Sequence, residues 1–186
     1  MSATSRIGRR RVLGLLGAAP LLLVGCGFQL RGARPLPFDS IYLGMYQYSE
    51  LAAAVRRQIR ANGDTVLAER AEDAQVRLEV QADVKDKVIL ALNTQGRVRE
   101  YQLRQRFIFR LVGKNGQEIM PSSEIFLRRD LAFDDTQLLA KQQEETLLYR
   151  DMQNDLVQQL MRRLAAAKMP EAPPAAAPAP APAAKP

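Results

Sequence analysis

Val76-Arg77-Leu78-Glu79-Val80-Gln81-Ala82-Asp83-Val84-Lys85-Asp86-Lys87-Val88-Ile89-Leu90-Ala91-Leu92 is the most regular stretch of this 186-residue chain. Val76, Leu78, Val80, Ala82, Val84, Val88, Leu90 and Leu92 hold even positions, with polar side chains mostly between them. Successive side chains of an extended chain point to opposite faces, so this alternation predicts one long strand with a single buried face. Asp86 is the one polar residue on the side expected to be buried. Asn93–Gly96 carries turn chemistry, and the returning segment places Tyr101, Leu103, Phe107, Phe109 and Leu111 on odd positions. Pairing Asn93 with Gly96 makes partner numbers sum to 189. That sets Leu78 against Leu111, Val80 against Phe109, Ala82 against Phe107 and Val88 against Tyr101. The apolar faces coincide in this register, and a one-residue slip would turn them apart.

The same register sorts the charges. Glu79 faces Arg110 and Asp83 faces Arg106, so the base of the hairpin satisfies itself across its strands. Toward the tip, Lys85, Lys87, Arg97, Arg99 and Arg104 stand against only Asp86 and Glu100. A cationic hairpin end can attract phosphate or carboxylate groups; the alternative is a charged surface that keeps an exposed sheet from aggregating.

Outward from the hairpin, Lys114-Asn115-Gly116 signals a second turn. Ile119, Ile125 and Leu127 match the odd-numbered face only if partner numbers have an even sum, which a three-residue loop with a Gly116 bulge supplies. Pro121 puts the early part of that strand at an edge or a bulge, and the strand runs to about Asp130. From Thr136 to Lys168 the period becomes helical: Leu148, Met152, Leu156, Leu160 and Leu164 recur every four residues. A helix of about 30 residues is about 45 Å long and could cover the face of the long meander. An amphipathic membrane helix is the competing reading. Before the hairpin, Ser40–Met45 reads as a first strand, and Ser49 caps a helix carrying Leu51, Val55 and Ile59 that ends at Asn62-Gly63. Thr65-Val66-Leu67 is a short second strand.

Ahead of this body lie a basic head (Arg6, Arg9, Arg10, Arg11), an apolar run from Val12 to Leu22, and Leu23-Val24-Gly25-Cys26. That order is a secretory signal, and its apolar run is shorter than the about 20 residues that a spanning helix needs. The cysteine after Gly25 makes it a lipobox, with cleavage before Cys26 and acylation of its thiol and new amine; two or more chains anchor stably where one does not. The organisation expected is a cleaved signal at 1–25, a lipidated tether at 26–38, a globular domain at 39–168 and an extended Ala/Pro tail at 169–186. Without the four signal arginines, 23 basic and 20 acidic side chains leave a net charge of about +3, which argues against nucleic acid as a partner. Cys26 is the only cysteine, so no intrachain disulfide can form, and there is no histidine. The commonest general base and metal ligand is therefore missing. Binding or assembly is expected rather than catalysis, with no cofactor and no metal.

Cys26-Gly27-Phe28-Gln29-Leu30-Arg31, Ala54–Gly63, Glu100-Tyr101-Gln102 and Leu139-Ala140-Lys141, in this order behind a lipobox, resemble one family. It is the lipopolysaccharide-assembly lipoprotein family LptE, and the resemblance covers about Cys26–Leu164. It implies an α+β fold with two helices packed on one face of a mostly antiparallel four-stranded sheet with long meander hairpins. It further implies an outer-membrane lipoprotein that plugs and helps assemble the β-barrel LptD and binds lipopolysaccharide. Gly27, in place of the Asp that resembles an inner-membrane retention signal, agrees with the outer membrane. Family members use basic residues near the hairpin tip and at the start of the last helix. Lys141 matches the second position; at the first, Thr94 stands where the family can carry an arginine, with Arg97 and Arg99 close by. The even-numbered face with Gln102, Arg104 and Arg106, and its expected mates Gln81, Asp83 and Lys85, suits a wet contact with a barrel interior. The rival class is an anchored periplasmic module that binds a lipid or a transporter's substrate in a closed apolar cavity.

Overall fold

The computed structural model describes residues 35–169. The expectations for the signal segment, for Cys26 and for the Ala/Pro tail from residue 170 onward fall outside the described residues. Strand β1 (Ser40–Gly44) is followed by helix α1 (Glu50–Asn62) and the two-residue strand β2 (Val66–Leu67). Then come β3 (Val76–Leu92), β4 (Val98–Gly113), β5 (Glu118–Ala132) and, after a 3-10 turn at Asp135–Gln137, helix α2 (Leu138–Ala165).

The helices begin and end for local reasons. The Ser49 hydroxyl accepts from the Ala52 amide at 3.1 Å and caps α1. Gly63, at φ +85°, ends that helix in a conformation that side chains resist. Leu51, Ala52, Val55 and Ile59 turn inward from α1, and Met152, Leu156, Val157, Leu160, Met161 and Leu164 do so from α2. Both sets, Ala52 apart, join Phe107, Phe109, Leu111 and Ile125 in one core. Burying each such side chain stabilises by about 1.5–3 kcal/mol. The long helix therefore does cover the meander, but its apolar burial lies in its second half.

The sheet has five strands in the order β2-β1-β3-β4-β5 and is mixed, which corrects the four-stranded, mostly antiparallel expectation. β1 runs parallel to both β2 and β3, while β3–β4 and β4–β5 are antiparallel. The parallel pairs arise because α1 carries the chain back along the sheet before β2, and residues 68–75 carry it back again before β3, and strands joined by such crossovers run the same way.

Register separates the two halves of the hairpin. At the base, Leu78 lies opposite Leu111, Glu79 opposite Arg110 and Val80 opposite Phe109, as the alternation predicts. A bulge at Gln81 then intervenes, and Ala82 lies opposite Ile108 rather than Phe107, and Ile89, not Val88, opposite Tyr101. The cause is the turn. The Asn93 amide donates to the Arg97 carbonyl (2.8 Å), and Gly96 sits at φ +76°. The loop is thus three residues long instead of two, which offsets the ladder by one, and the bulge absorbs the offset.

The bulge turns the outer half of β3 over. Asp86 lies opposite Arg104 on the open face, not on the covered one, while Lys85 and Lys87 come to the helix side, where they meet α2. Val84, Leu90 and Leu92, expected to be buried, are exposed. Asp83 lies opposite Phe107, and Arg106 pairs instead with Glu124 on β5 at 2.8 Å. The second hairpin follows its expectation, with a three-residue loop, Gly116 at φ +78° and an irregularity beside Pro121 on the edge strand.

Candidate functional site

The first half of α2 buries no side chain: residues 138–151 are all exposed or half-buried, and Leu139 remains 70% exposed. It overhangs the outer part of the hairpin and encloses a cleft of about 520 Å³ lined by Lys87, Tyr101, Phe133, Lys141, Glu145 and Tyr149, among others. Lys141, Glu145 and Tyr149 recur every four residues and so share one face of the helix.

Within the cleft the Lys87 ammonium lies 2.5 Å from Glu145 Oε2 and 4.3 Å from the centre of the Tyr101 ring. Tyr101 meets Phe133 edge to face at 5.1 Å, so the cation rests on an aromatic floor. Lys141, whose side chain is only 18% exposed, pairs with Glu144 at 2.8 Å. Lys85 stands 5.8 Å from the Tyr149 ring centre, and the Tyr149 hydroxyl donates to the Asp86 carbonyl at 3.1 Å. Burial, and then the charges of Glu145 and Asp86, raise the Tyr149 phenol above its ordinary pKa. At the entry to α2, Asp134 accepts hydrogen bonds from the amide and hydroxyl of Thr136, which hold its carboxyl below the usual range.

The structure brings Lys87 and Lys141 into one cleft, with Lys85 beside it. Arg97 reaches toward the turn before α2, 4.0 Å from Asp135. Arg99 is exposed, and its carbonyl accepts from the Phe133 amide at 2.8 Å. Arg104 lies apart on the open face, donating to Gln102 at 2.8 Å. The reading of the tip cations against only Asp86 and Glu100 needs correction, because Lys87 and Arg97 have carboxylate partners from the α2 region. Lys87 and Glu145 are 58 residues apart in sequence, so hairpin pairing alone could not reveal them. The four-residue recurrence of Lys141, Glu145 and Tyr149 was the available signal.

The open face carries a polar lattice across three strands: Arg110–Glu79 at 2.7 Å, Arg106–Glu124 at 2.8 Å, Gln102–Asp130 at 2.9 Å and Ser122–Gln81 at 2.6 Å. Its expected mates for Arg104 and Arg106 change with the register to Asp86 and Val84. Val84 and Phe126 stand exposed within it. Chemically, the cleft offers two ammonium groups, Lys141 and Lys87, the latter over the Tyr101 ring, an arrangement suited to an anion attached to a larger body. Among the described residues, no group of three or more His, Cys, Asp or Glu could hold a metal, and no helix is long and apolar enough to cross a membrane.

Comparison with known proteins agrees over nearly all of this body. Residues 38–164 match the family LptE, described as lipopolysaccharide-assembly. The LPS-assembly lipoprotein LptE of Photorhabdus laumondii is 32% identical over 168 residues, spanning 87% of this chain and 84% of that protein. Its counterpart in Pectobacterium atrosepticum is 30% identical over 84% of this chain and 86% of its own length. Among solved structures, an uncharacterized lipoprotein B from Nitrosomonas europaea superposes with a TM-score of 0.66 at 35% identity, over 75% of this chain and 91% of that one. The rare lipoprotein B from Shewanella oneidensis gives 0.60 at 27% identity, over 69% and 95%.

Proposed function

The chain belongs to the LptE family of lipopolysaccharide assembly, and from that premise we propose that it binds lipopolysaccharide through the cleft beneath α2 while its open sheet face seats inside the barrel LptD. The observation that carries this reading is the convergence of Lys87 and Lys141 on one cleft, with Lys87 over the Tyr101 ring that meets Phe133 edge to face. Lipopolysaccharide presents phosphates on a sugar body. Ammonium groups suit the phosphates, and aromatic rings suit the apolar faces of the sugars.

The open face supports the barrel contact. Barrel interiors are largely polar, and a lattice of paired arginines, glutamates and amides with isolated apolar side chains can meet such a wall in a wet, hydrogen-bonded interface. In this reading Cys26 carries S-diacylglycerol and an N-acyl group, the tether to residue 38 leads to the domain, and the protein faces the periplasm and barrel lumen at the outer membrane. Arg97, Arg99 and Lys85 add positive charge around the cleft, and Arg104 belongs to the barrel-facing side. The rival, an anchored lipid- or substrate-binding module, calls for a closed apolar cavity; the cleft is instead bordered by Lys87, Lys141, Gln142 and Glu145.

Two measurements test the proposal. Affinity purification from detergent-solubilised outer membranes is expected to recover LptD as the most abundant partner. Replacing Lys87 and Lys141 together by Met is expected to weaken lipopolysaccharide binding by about tenfold or more, as loss of two charge-assisted contacts implies. Recovery of no barrel, together with undiminished binding by the double variant, would refute both halves.

A further inference from the structure

The two lysines of the cleft are already neutralised from within. Glu144 and Glu145, consecutive on α2, take one each, at 2.8 Å from Lys141 and 2.5 Å from Lys87. Lys87 has a second hold, the Tyr101 ring 4.3 Å away, so it keeps its place when a carboxylate leaves. The turns of α2 that carry both glutamates bury no side chain. Only Leu148 and Tyr149 of these turns lean, half-buried, on the core, and segments with so few apolar contacts open at low free energy.

We propose that Glu144 and Glu145 are built-in competitors, and that an anionic ligand enters the cleft by displacing them from Lys141 and Lys87. A carboxylate carries one negative charge, whereas a phosphate monoester carries about −1.5 to −2 at neutral pH and offers three strong acceptor oxygens. The exchange therefore favours phosphate groups and disfavours singly charged carboxylates. It makes Glu144 and Glu145 the residues that set the specificity of the cleft, by the repulsive route through which binding sites reject wrong partners. Protein in the ligand-free state gains as well, because the half-buried Lys141 and its neighbour Lys87 are not left unpaired. The inference rests on the reading of the cleft as a lipopolysaccharide site.

The experiment uses the full chain in detergent and three proteins: wild type, Glu144→Gln with Glu145→Gln, and Lys87→Met with Lys141→Met. Binding of purified lipopolysaccharide and of its enzymatically dephosphorylated form is measured for each. Neutralising the glutamates is expected to tighten binding by about two- to tenfold, the range set by two partly exposed ion pairs, and to narrow the preference for the phosphorylated form. The lysine variant is expected to lose binding. If it loses binding while the glutamine variant binds no tighter than wild type, the exchange is wrong and the lipid site stands. If the lysine variant binds normally, the site itself is wrong. Free inorganic phosphate at matched concentration is expected not to displace the lipid; displacement would mean a site for soluble phosphate and would overturn the proposal.

Discussion

Val80 lies opposite Phe109, yet Ala82, two residues further on, lies opposite Ile108. That offset decides which side chains of β3 face α2, and it makes the bulge at Gln81 separable from the fold. Deleting Gln81 joins Val80 directly to Ala82, so alternation runs unbroken as far as Ile89 and the residues between keep their present face. The deletion is expected to preserve the fold at a cost of about 1 kcal/mol, the worth of the lost Ser122–Gln81 bond. Nuclear Overhauser contacts between Val84 and Arg106 should persist. Their replacement by contacts between Asp83 and Arg106 would disprove the role given to the bulge.

Gln105 is fully buried on the covered face, with its Oε1 accepting no hydrogen bond from the protein and its amide 3.5 Å from Asp83. An unpaired buried acceptor costs about 1–3 kcal/mol. Gln105→Met, close in volume and without polar atoms, is expected to raise stability by about 1 kcal/mol, read as a higher denaturant midpoint at unchanged slope. A lowered midpoint would mean that the amide is satisfied in solution.

At Gly44 an added Cβ would lie 2.8 Å from the Leu78 carbonyl oxygen, across the β1–β3 pairing. Neither backbone can yield without opening the parallel ladder. Gly44→Ala is therefore expected to destabilise by about 1–3 kcal/mol, with faster amide exchange in β1 as the local signature. Wild-type exchange rates there would contradict the close approach.

Titration has two distinct ends. The fold favours the neutral Tyr149 phenol, so this contribution is complete below about pH 10 and is lost as pH rises through its higher folded value. Ultraviolet titration of the phenolates should show a late ionisation step above the ordinary tyrosine range, and Tyr149→Phe should remove it. Asp134 has the opposite sign. Its contribution is complete above about pH 4 and is lost as pH falls through its depressed folded value. Asp134→Ala should abolish that part of the acid dependence, seen by circular dichroism.

Much of this was legible in the sequence. Alternation over Val76–Leu92 and Tyr101–Leu111 marked the hairpin, Ser49 and Gly63 bounded the first helix, and Pro121 marked the irregular edge. These are local signals, carried by residues near one another in the chain. The outer register was not legible, because two- and three-residue loops around Asn93–Gly96 share the same composition, and one residue of difference inverts a strand. The cleft was half legible: Lys141 and Lys87 were singled out, but Glu145, Phe133 and Tyr149 were not.

By itself the sequence determined the elements, their order and which stretches had apolar surface to bury, because propensity, capping and periodicity act within a few residues. Only the tertiary structure decided that Lys87 meets Glu145, that Arg104 and Lys141 lie on opposite sides of the sheet, and that β1 pairs in parallel. Those relationships depend on how a bulge and a crossover bring distant segments side by side, and no period in the chain encodes that distance.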